Sequence, residues 1–340
     1  MTQYGEQVPD HLLIKIEHRD DPVSAVSEDD ARRRSVAYPR LMWGAPVFGS
    51  AEEVDGRWRI LSLIGNRPQG TRDGLGSHFR RLLSETPDTA ETAVERKEYE
   101  AAIRLLDWEV VNDLTVNGRR YRIIRAQPFI RMGPDGPEPP RPTDPDPRPV
   151  GKGRATGSAG SQMEGFVIDP GASTGLSDGI LRMELVPAIY KSAGVLPDEV
   201  REDSRRALVT HPNVVLLPVG FTLGEYVDGT WRPRSFSMEP TPGAARELAS
   251  FTFEDIVPHE NASFEEIRAA YNRAIEEFEA PTTDEFEVKG VRCRVTRVES
   301  FIRVGADGPE TPRPSDWDPE PPPELHFQQL RAEGRMPDLE

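Results

Sequence analysis

The 340-residue sequence has a single cysteine, Cys293. That excludes an intramolecular disulfide framework and any structural zinc site built on several thiolates. Lysine is nearly as scarce, occurring only at positions 15, 97, 152, 191 and 289, so the basic charge is carried almost wholly by arginine. Positive charge is short overall: the formal net charge is −16. A chain so acidic is repelled by phosphate backbones and by anionic lipid, so neither nucleic acid nor membrane is an expected partner. No window approaches the ~18 consecutive apolar residues of a membrane span, and the opening MTQYGEQVPDHLL lacks the charged and apolar regions of a secretory signal. A soluble, cytoplasmic protein is the expectation. Hydrophobic residues make up only 36% of the chain, while proline and glycine number 33 and 28. Much of the length must therefore be loops and extended segments, with the core drawn from a minority of stretches. The length still suffices for two ordinary domains or one large duplicated one.

Reaction-specific motifs are missing as well. GKGRATGS (151–158) has glycines and a lysine without the spacing of a phosphate-binding loop. The six histidines, at 11, 18, 78, 211, 259 and 326, form no H-E-x-x-H and meet no carboxylate at metal-ligand spacing, so no metal and no cofactor is assigned. GASTG (171–175) fits G-x-S-x-G with Ser173 as the nucleophile. That motif needs a helix after the turn, whereas LSDGILRMEL reads as a strand, so GASTG is read as a simple turn. His18, beside Glu17, Asp20 and Asp21, reads as an exposed strand end. Cys293 alternates with arginines on the inner face of a strand, which marks a small buried hydrophobe rather than a reactive thiol.

What the sequence does contain is a phrase written twice. FIRMGPDGPEPPRPTDPDP (129–147) and FIRVGADGPETPRPSDWDP (301–319) agree at fourteen of nineteen positions, at a constant offset of 172. The match continues upstream. VNGRRYRIIRAQPFIR (116–131) matches VKGVRCRVTRVESFIR (288–303), and VDGRWR (54–59) matches VDGTWR (227–232). Pro39 matches Pro212, and Arg32 and Arg33 match Arg205 and Arg206. Sustained self-similarity at this period implies two domain-sized copies rather than a solenoid. The implied organisation is a first copy over 1–148, a Gly/Ser-rich linker and connecting strand over 149–178, of which the linker at 149–162 should be readily cut by proteases, a second copy over 179–323, and a tail over 324–340. In the tail, Leu325, Phe327 and Leu330 suggest a short docking helix.

Local signals agree with an α+β fold: two pseudo-symmetric copies, each with an antiparallel sheet, a β-hairpin and packed helices. LLIKIE (12–17) and LRMELV (181–186) read as corresponding strands, and EDDARRRSV (28–36) and EVREDSRRAL (199–208) as short charged helices. Asp55-Gly56 and Asp228-Gly229 sit between strand-like runs as hairpin turns. Trp58 and Trp231 follow them as core or half-buried anchors. Val94, Tyr99, Ile103 and Leu106 form one helical stripe. Phe264, Ile267, Tyr271, Ala274, Ile275 and Phe278, with a Ser263–Glu266 capping box, form its counterpart.

The long strand before the repeated phrase changes parity. Its inward residues are Tyr121 and Ile123, then Ala126 and Ile130, and in the second copy Cys293 and Val295, then Val298 and Ile302. A strand has period two, so this predicts a β-bulge near 123–124 and 295–296. The bulge would gather Arg120, Arg122 and Arg125, and likewise Arg292, Arg294 and Arg297, on one face. Acids follow at once: Asp135, Glu138, Asp144 and Asp146 recur as Asp307, Glu310, Asp316 and Asp318 in a proline frame that favours extended geometry. The phrase reads as a stiff acidic strap laid over the arginine face of its own copy or of the other. The six arginines are at the same time the candidate ligand-binding residues, because guanidinium groups suit carboxylate and phosphate.

The wording of EHRDDPVSAVSEDDARRRSVAYP and of FIRMGPDGPEPPRPTDPDP resembles an uncharacterised family of Streptomyces-type actinobacteria classed as a domain of unknown function. The resemblance covers most of the chain and implies a bacterial cytoplasmic setting and no particular activity. The molecular function is therefore open. The leading expectation is a non-catalytic interaction or regulatory protein built by tandem duplication, with a protein as its partner. The alternative is an enzyme or small anionic-ligand binder with its pocket between the copies.

Overall fold

Three Asx-Gly pairs set the skeleton. Asp55-Gly56, Asn117-Gly118 and Asp228-Gly229 all have positive φ at both positions, near +50° and +75°. This is the geometry of the two-residue hairpin turn whose twist matches that of the flanking strands, and only Asn, Asp and Gly adopt it cheaply. In the computed structural model, residues 8–19, 21–146, 163–188, 196–233, 238–247, 283–288 and 290–335 are described. The linker at 151–162 and the amphipathic stretch at 263–278 lie outside them.

In chain order the elements are α1 (Pro22–Ala37), β1 (Arg40–Trp43), β2 (Val47–Val54), β3 (Arg57–Gly65), α2 (Pro68–Glu85), α3 (Ala93–Trp108), β4 (Asp113–Val116), β5 (Arg119–Gly133), β6 (Gly136–Pro137) and β7 (Val167–Ile168). They continue with α4 (Leu176–Leu185), α5 (Asp198–Thr210), β8 (Asn213–Leu216), β9 (Gly220–Val227), β10 (Thr230–Pro233), α6 (Pro242–Glu247), β11 (Glu285–Val288), β12 (Val291–Gly305), β13 (Gly308–Pro309) and α7 (Pro323–Ala332). The chain is thus α+β, with a large antiparallel sheet. Asp21 caps α1 by accepting from the Ser24 amide at 2.9 Å, and Pro22 opens the helix, where its missing N–H costs nothing. Pro39, two residues past the end of α1, bars continuation.

The sheet path runs β10-β9-β12-β5-β2-β3-β7. Its middle is the antiparallel pair of the two long strands, centred on Ser300 opposite Pro128. Around that centre the partners correspond. β5 pairs with β1, β2, β4 and β6, and β12 pairs with β8, β9, β11 and β13. One core cluster draws on both halves of the chain: Trp58, Ile60, Ile124 and Ala126 pack with Val215, Leu217, Ile302 and Val304. On the opposite face, α2 and α3 cover β4 and β5 through Leu75, Phe79, Tyr99, Leu106 and Ile123. Phe221, Leu223, Cys293 and Val295 form the corresponding cluster of the second half, so Cys293 is a buried core residue.

Several sequence expectations need correction. No bulge lies at the predicted places: the β5–β2 register runs without a shift from Ala126 opposite Val47 to Tyr121 opposite Glu52, and β12–β9 is equally regular from Arg292 to Val298. The parity change has another cause. Both faces of these strands are covered, so residues 121–129 and 293–305 are buried whichever way they point, and alternation disappears as it does in any strand packed on two sides. Without a bulge, Arg125 and Arg297 point to the face opposite their neighbours Arg120, Arg122, Arg292 and Arg294.

LRMELV is helix, within α4, and LLIKIE contributes only a 3₁₀ turn at Asp10–Leu12 and a lone bridge from Ile16 to Thr174. Helix α2, with glycines at 70, 74 and 76, was not foreseen. Val94 is 70% exposed and does not join the α3 stripe. Trp58 is buried and Trp231 half-buried, as anchors beside the turns should be. The tail does form a helix, α7, packed against α3.

Candidate functional site

The repeated arginines and the acidic straps meet, and each strap lies across the other half's long strand. In the N-terminal half, Arg120 donates to both carboxylate oxygens of Asp307 at 2.7 and 2.8 Å, and also to Asp113. Arg122 donates to Asp113 at 2.7 Å, to the carboxylate and carbonyl of Asp307, and to the Pro309 carbonyl. Arg125, on the opposite face, donates from Nε to both oxygens of Asp316 at 3.1 and 3.0 Å, and its amide donates to the Glu310 carbonyl.

The C-terminal half repeats the pattern. Arg294 donates to Glu285 at 2.5 Å and to the Pro137 carbonyl at 3.0 Å, Arg292 donates to Glu285 at 3.0 Å, and Arg297 donates to Asp144 while its amide donates to the Glu138 carbonyl. Asp135, the counterpart of Asp307, is exposed instead, and Glu285 takes the charge of Arg292 and Arg294.

Each strap is also fixed through a glycine. Gly308 has φ +106° and lies so close to Trp58 that a Cβ built on it would fall 2.2 Å from the indole nitrogen; Gly136, at φ +121°, lies likewise against Trp231. Each indole also has a guanidinium over its ring, Arg122 at 4.8 Å from the Trp58 centroid and Arg294 at 4.8 Å from the Trp231 centroid. Each tryptophan is thus held between strap and strand arginine by contacts that add a cation–π interaction to the ion pairs. Beyond this, Arg72 and Arg246 extend the pattern. Arg72 donates to Asp318 at 2.7 Å, and the Gln69 amide at the start of α2 donates to the same carboxylate. Arg246 ion-pairs with Asp146, which also accepts from the Gly243 amide at the start of α6. Sequence reading overlooked both arginines. The available signal is that strap acids recur in fours while the strand arginines recur in threes.

The electrostatics follow the contacts. Hydrogen bonds from Arg120 hold the Asp307 carboxyl below the usual carboxylate range. Burial favours neutral Glu299, yet the charges of Arg297, Arg131 and Arg141 keep it ionised and hold its pKa down. Arg297 is correspondingly held up, against burial, by Glu299, Asp144 and Glu138. Burial opposes ionisation of Glu285 too, and the bonds from Arg292 and Arg294 outweigh it. A carboxylate whose folded pKa lies below its unfolded value stabilises the fold above the unfolded pKa and loses that contribution as pH falls. Asp178 and Asp284, raised by burial, act in the opposite sense. With Asp307, Glu299 and Glu285 dominant, the melting temperature should drop as pH falls below about 4.5. A thermal-melt series between pH 6 and 3 checks this, and Glu299→Gln should flatten its slope.

Ser173 of the G-x-S-x-G stretch follows β7 and precedes a helix, so the local order of that motif is present after all. Its hydroxyl donates to Glu17 at 2.7 Å. The described residues with positive φ other than glycine are Asp55, Asn117 and Asp228, so Ser173 does not occupy the strained turn of a nucleophile elbow. Among the described residues no group of three or more His, Cys, Asp or Glu side chains is placed to hold a metal ion. No described helix is long and apolar enough to cross a membrane.

The strap junctions lie almost wholly within the segment that matches a known protein family. Residues 21–319 match the model of a family of unknown function (DUF5954), and the chain belongs to that family. No curated protein and no solved structure matches the chain.

Proposed function

We propose that the chain is a tandem duplication, with copies over 1–148 and 179–323 locked together by exchanged straps, and that it serves as a non-catalytic protein-interaction module in the cytoplasm. The duplication is supported by the way the offset of 172 carries into contacts. Arg125 with Asp316 corresponds to Arg297 with Asp144, and Gly308 on Trp58 corresponds to Gly136 on Trp231. The repeated polar residues are engaged in joining the copies. What supports the interaction reading is an apolar stripe on α4, where Leu176, Ile180 and Met183 are 52%, 44% and 51% exposed. At spacings of four and three residues they share one helix face. Val23 and Val26 of the neighbouring α1 are exposed as well. Such a surface suits a protein partner that offers apolar side chains.

The test is cross-linking in the native cell extract with parent protein and with Ile180→Asp. The variant should melt as the parent does and lose the parent's cross-linked partners. An identical partner set for the two would overturn the reading. A second reading, a small-anion binder with its pocket between the copies, draws on a cavity lined by Arg125, Gln127, Arg303 and Arg313.

A further inference from the structure

The halves differ at a buried charged position as well, and the difference leaves one buried cation without an ion pair. In the C-terminal half Glu299 sits among three arginines: it ion-pairs with Arg297, with Arg131 at 3.3 Å and with Arg141 at 3.5 Å. The position corresponding to Glu299 is Gln127, and those corresponding to Arg297, Arg131 and Arg141 are Arg125, Arg303 and Arg313. Gln127 brings no charge. Its carbonyl accepts from Arg125 Nη1 at 3.3 Å, and its amide donates to the carbonyls of Gly44 and Pro128. Arg125 is paired with Asp316, and Arg313 with Glu310, which leaves Arg303 as the surplus charge.

Arg303 is 3% exposed. Among the described residues it forms no ion pair, and it donates only to the carbonyls of Leu185, Val186 and Ala188 at and just beyond the end of α4. Those carbonyls give partial compensation, as a helix C-terminus does for a cation. It is incomplete: burial still pushes the Arg303 guanidinium down to about 10. A buried cation without a counter-charge is costly. At this very place there is a cavity between the halves, lined by Arg125, Gln127, Phe301, Arg303, Arg313 and Glu310 among others, with room of about 20 Å³; the Glu310 charge is paired with Arg313 and offsets that of Arg303 only in part. That is the space of roughly one water molecule or one small ion.

We propose that this cavity binds a small monatomic anion, chloride or bromide, which supplies the negative charge that Glu299 supplies in the other half. A monatomic ion fits best, because the space is about that of one water molecule. The site rests on the second reading above and is independent of the α4 stripe, so failure of one experiment leaves the other standing.

The test compares melting in sodium chloride and in sodium gluconate at equal ionic strength. Chloride should raise the melting temperature saturably, by about 2–4 °C at ten times its dissociation constant, and sodium sulfate at matched ionic strength should not reproduce the saturable rise. Gln127→Glu places a carboxylate at the site, at the loss of the amide's bond to Gly44, and should abolish the difference between chloride and gluconate. A second measurement does not depend on that variant folding: a bromide-soaked crystal of the parent should show anomalous density between Arg125 and Arg303. Equal melting of the parent in chloride and gluconate, a chloride response that persists in Gln127→Glu, or the absence of bromide at the site would each overturn the proposal.

Discussion

Arg297→Gln is expected to lower the melting temperature by about 5–10 °C, and Arg125→Gln by less. Arg297 is 7% exposed and holds Asp144, on the strap of the other half, together with Glu299. Its removal leaves two buried carboxylates short of a partner, and breaking a buried pair by deleting one member costs about 3–5 kcal/mol because the other charge stays buried. Glutamine still donates a hydrogen bond, which reduces the loss to about 2–4 kcal/mol. At the corresponding place Arg125 shares its surroundings with Arg303 and Arg313 and lacks a counterpart to Glu299. Deleting Arg125 strands Asp316 but also relieves repulsion among cations. The ranking is therefore part of the expectation: thermal denaturation showing Arg125→Gln as damaging as Arg297→Gln would mean that the two junctions carry the same charge balance.

Gly308→Ala should be comparably severe. At φ +106° an L side chain is strained whatever space surrounds it, and a Cβ built there would lie 2.2 Å from the Trp58 indole nitrogen. That ring has little room to retreat, because Trp58 is 5% exposed and packed against the Arg122 guanidinium at 4.8 Å. The strap must lift, and lifting it unseats Asp307 from Arg120 and Arg122. A loss of about 3 kcal/mol or more follows from strain and lost packing together, to be read by denaturant melts. Gly56→Ala, at φ +74° with nothing near its Cβ, serves as the control for backbone strain alone and should cost only about 1–2 kcal/mol.

The parts of this architecture that were legible in the sequence are those written in local chemistry. Asp55-Gly56 and Asp228-Gly229 gave their hairpins because few other residues tolerate the turn. The recurrence of Asp307 and Asp316 at a fixed distance from Asp135 and Asp144 gave the strap. Tertiary context hid the rest. Covering β5 and β12 on both faces erased the alternation by which a strand shows its inside, so an ordinary strand read as a bulged one and Arg125 was placed on the wrong face. Leu181 and Leu185 of α4 alternate with polar residues closely enough to mimic a strand, and three glycines concealed α2. Which half of the chain a strap would cover is a question of topology, and it left no mark on Asp144 or Asp316. The Gln127–Glu299 difference was visible in the aligned repeats, but it acquires meaning only once Arg303 is seen to be buried.

The most direct test of the exchange is a double-mutant cycle on Arg125. If the strap of the C-terminal half seats on the N-terminal strand, Arg125→Gln and Asp316→Asn should be coupled by about 1–3 kcal/mol in urea denaturation, while Arg125→Gln and Asp144→Asn, which pair Arg125 with the strap of its own half, should add to within about 0.5 kcal/mol. Coupling to Asp144 with additivity to Asp316 would place each strap on its own strand and contradict the account.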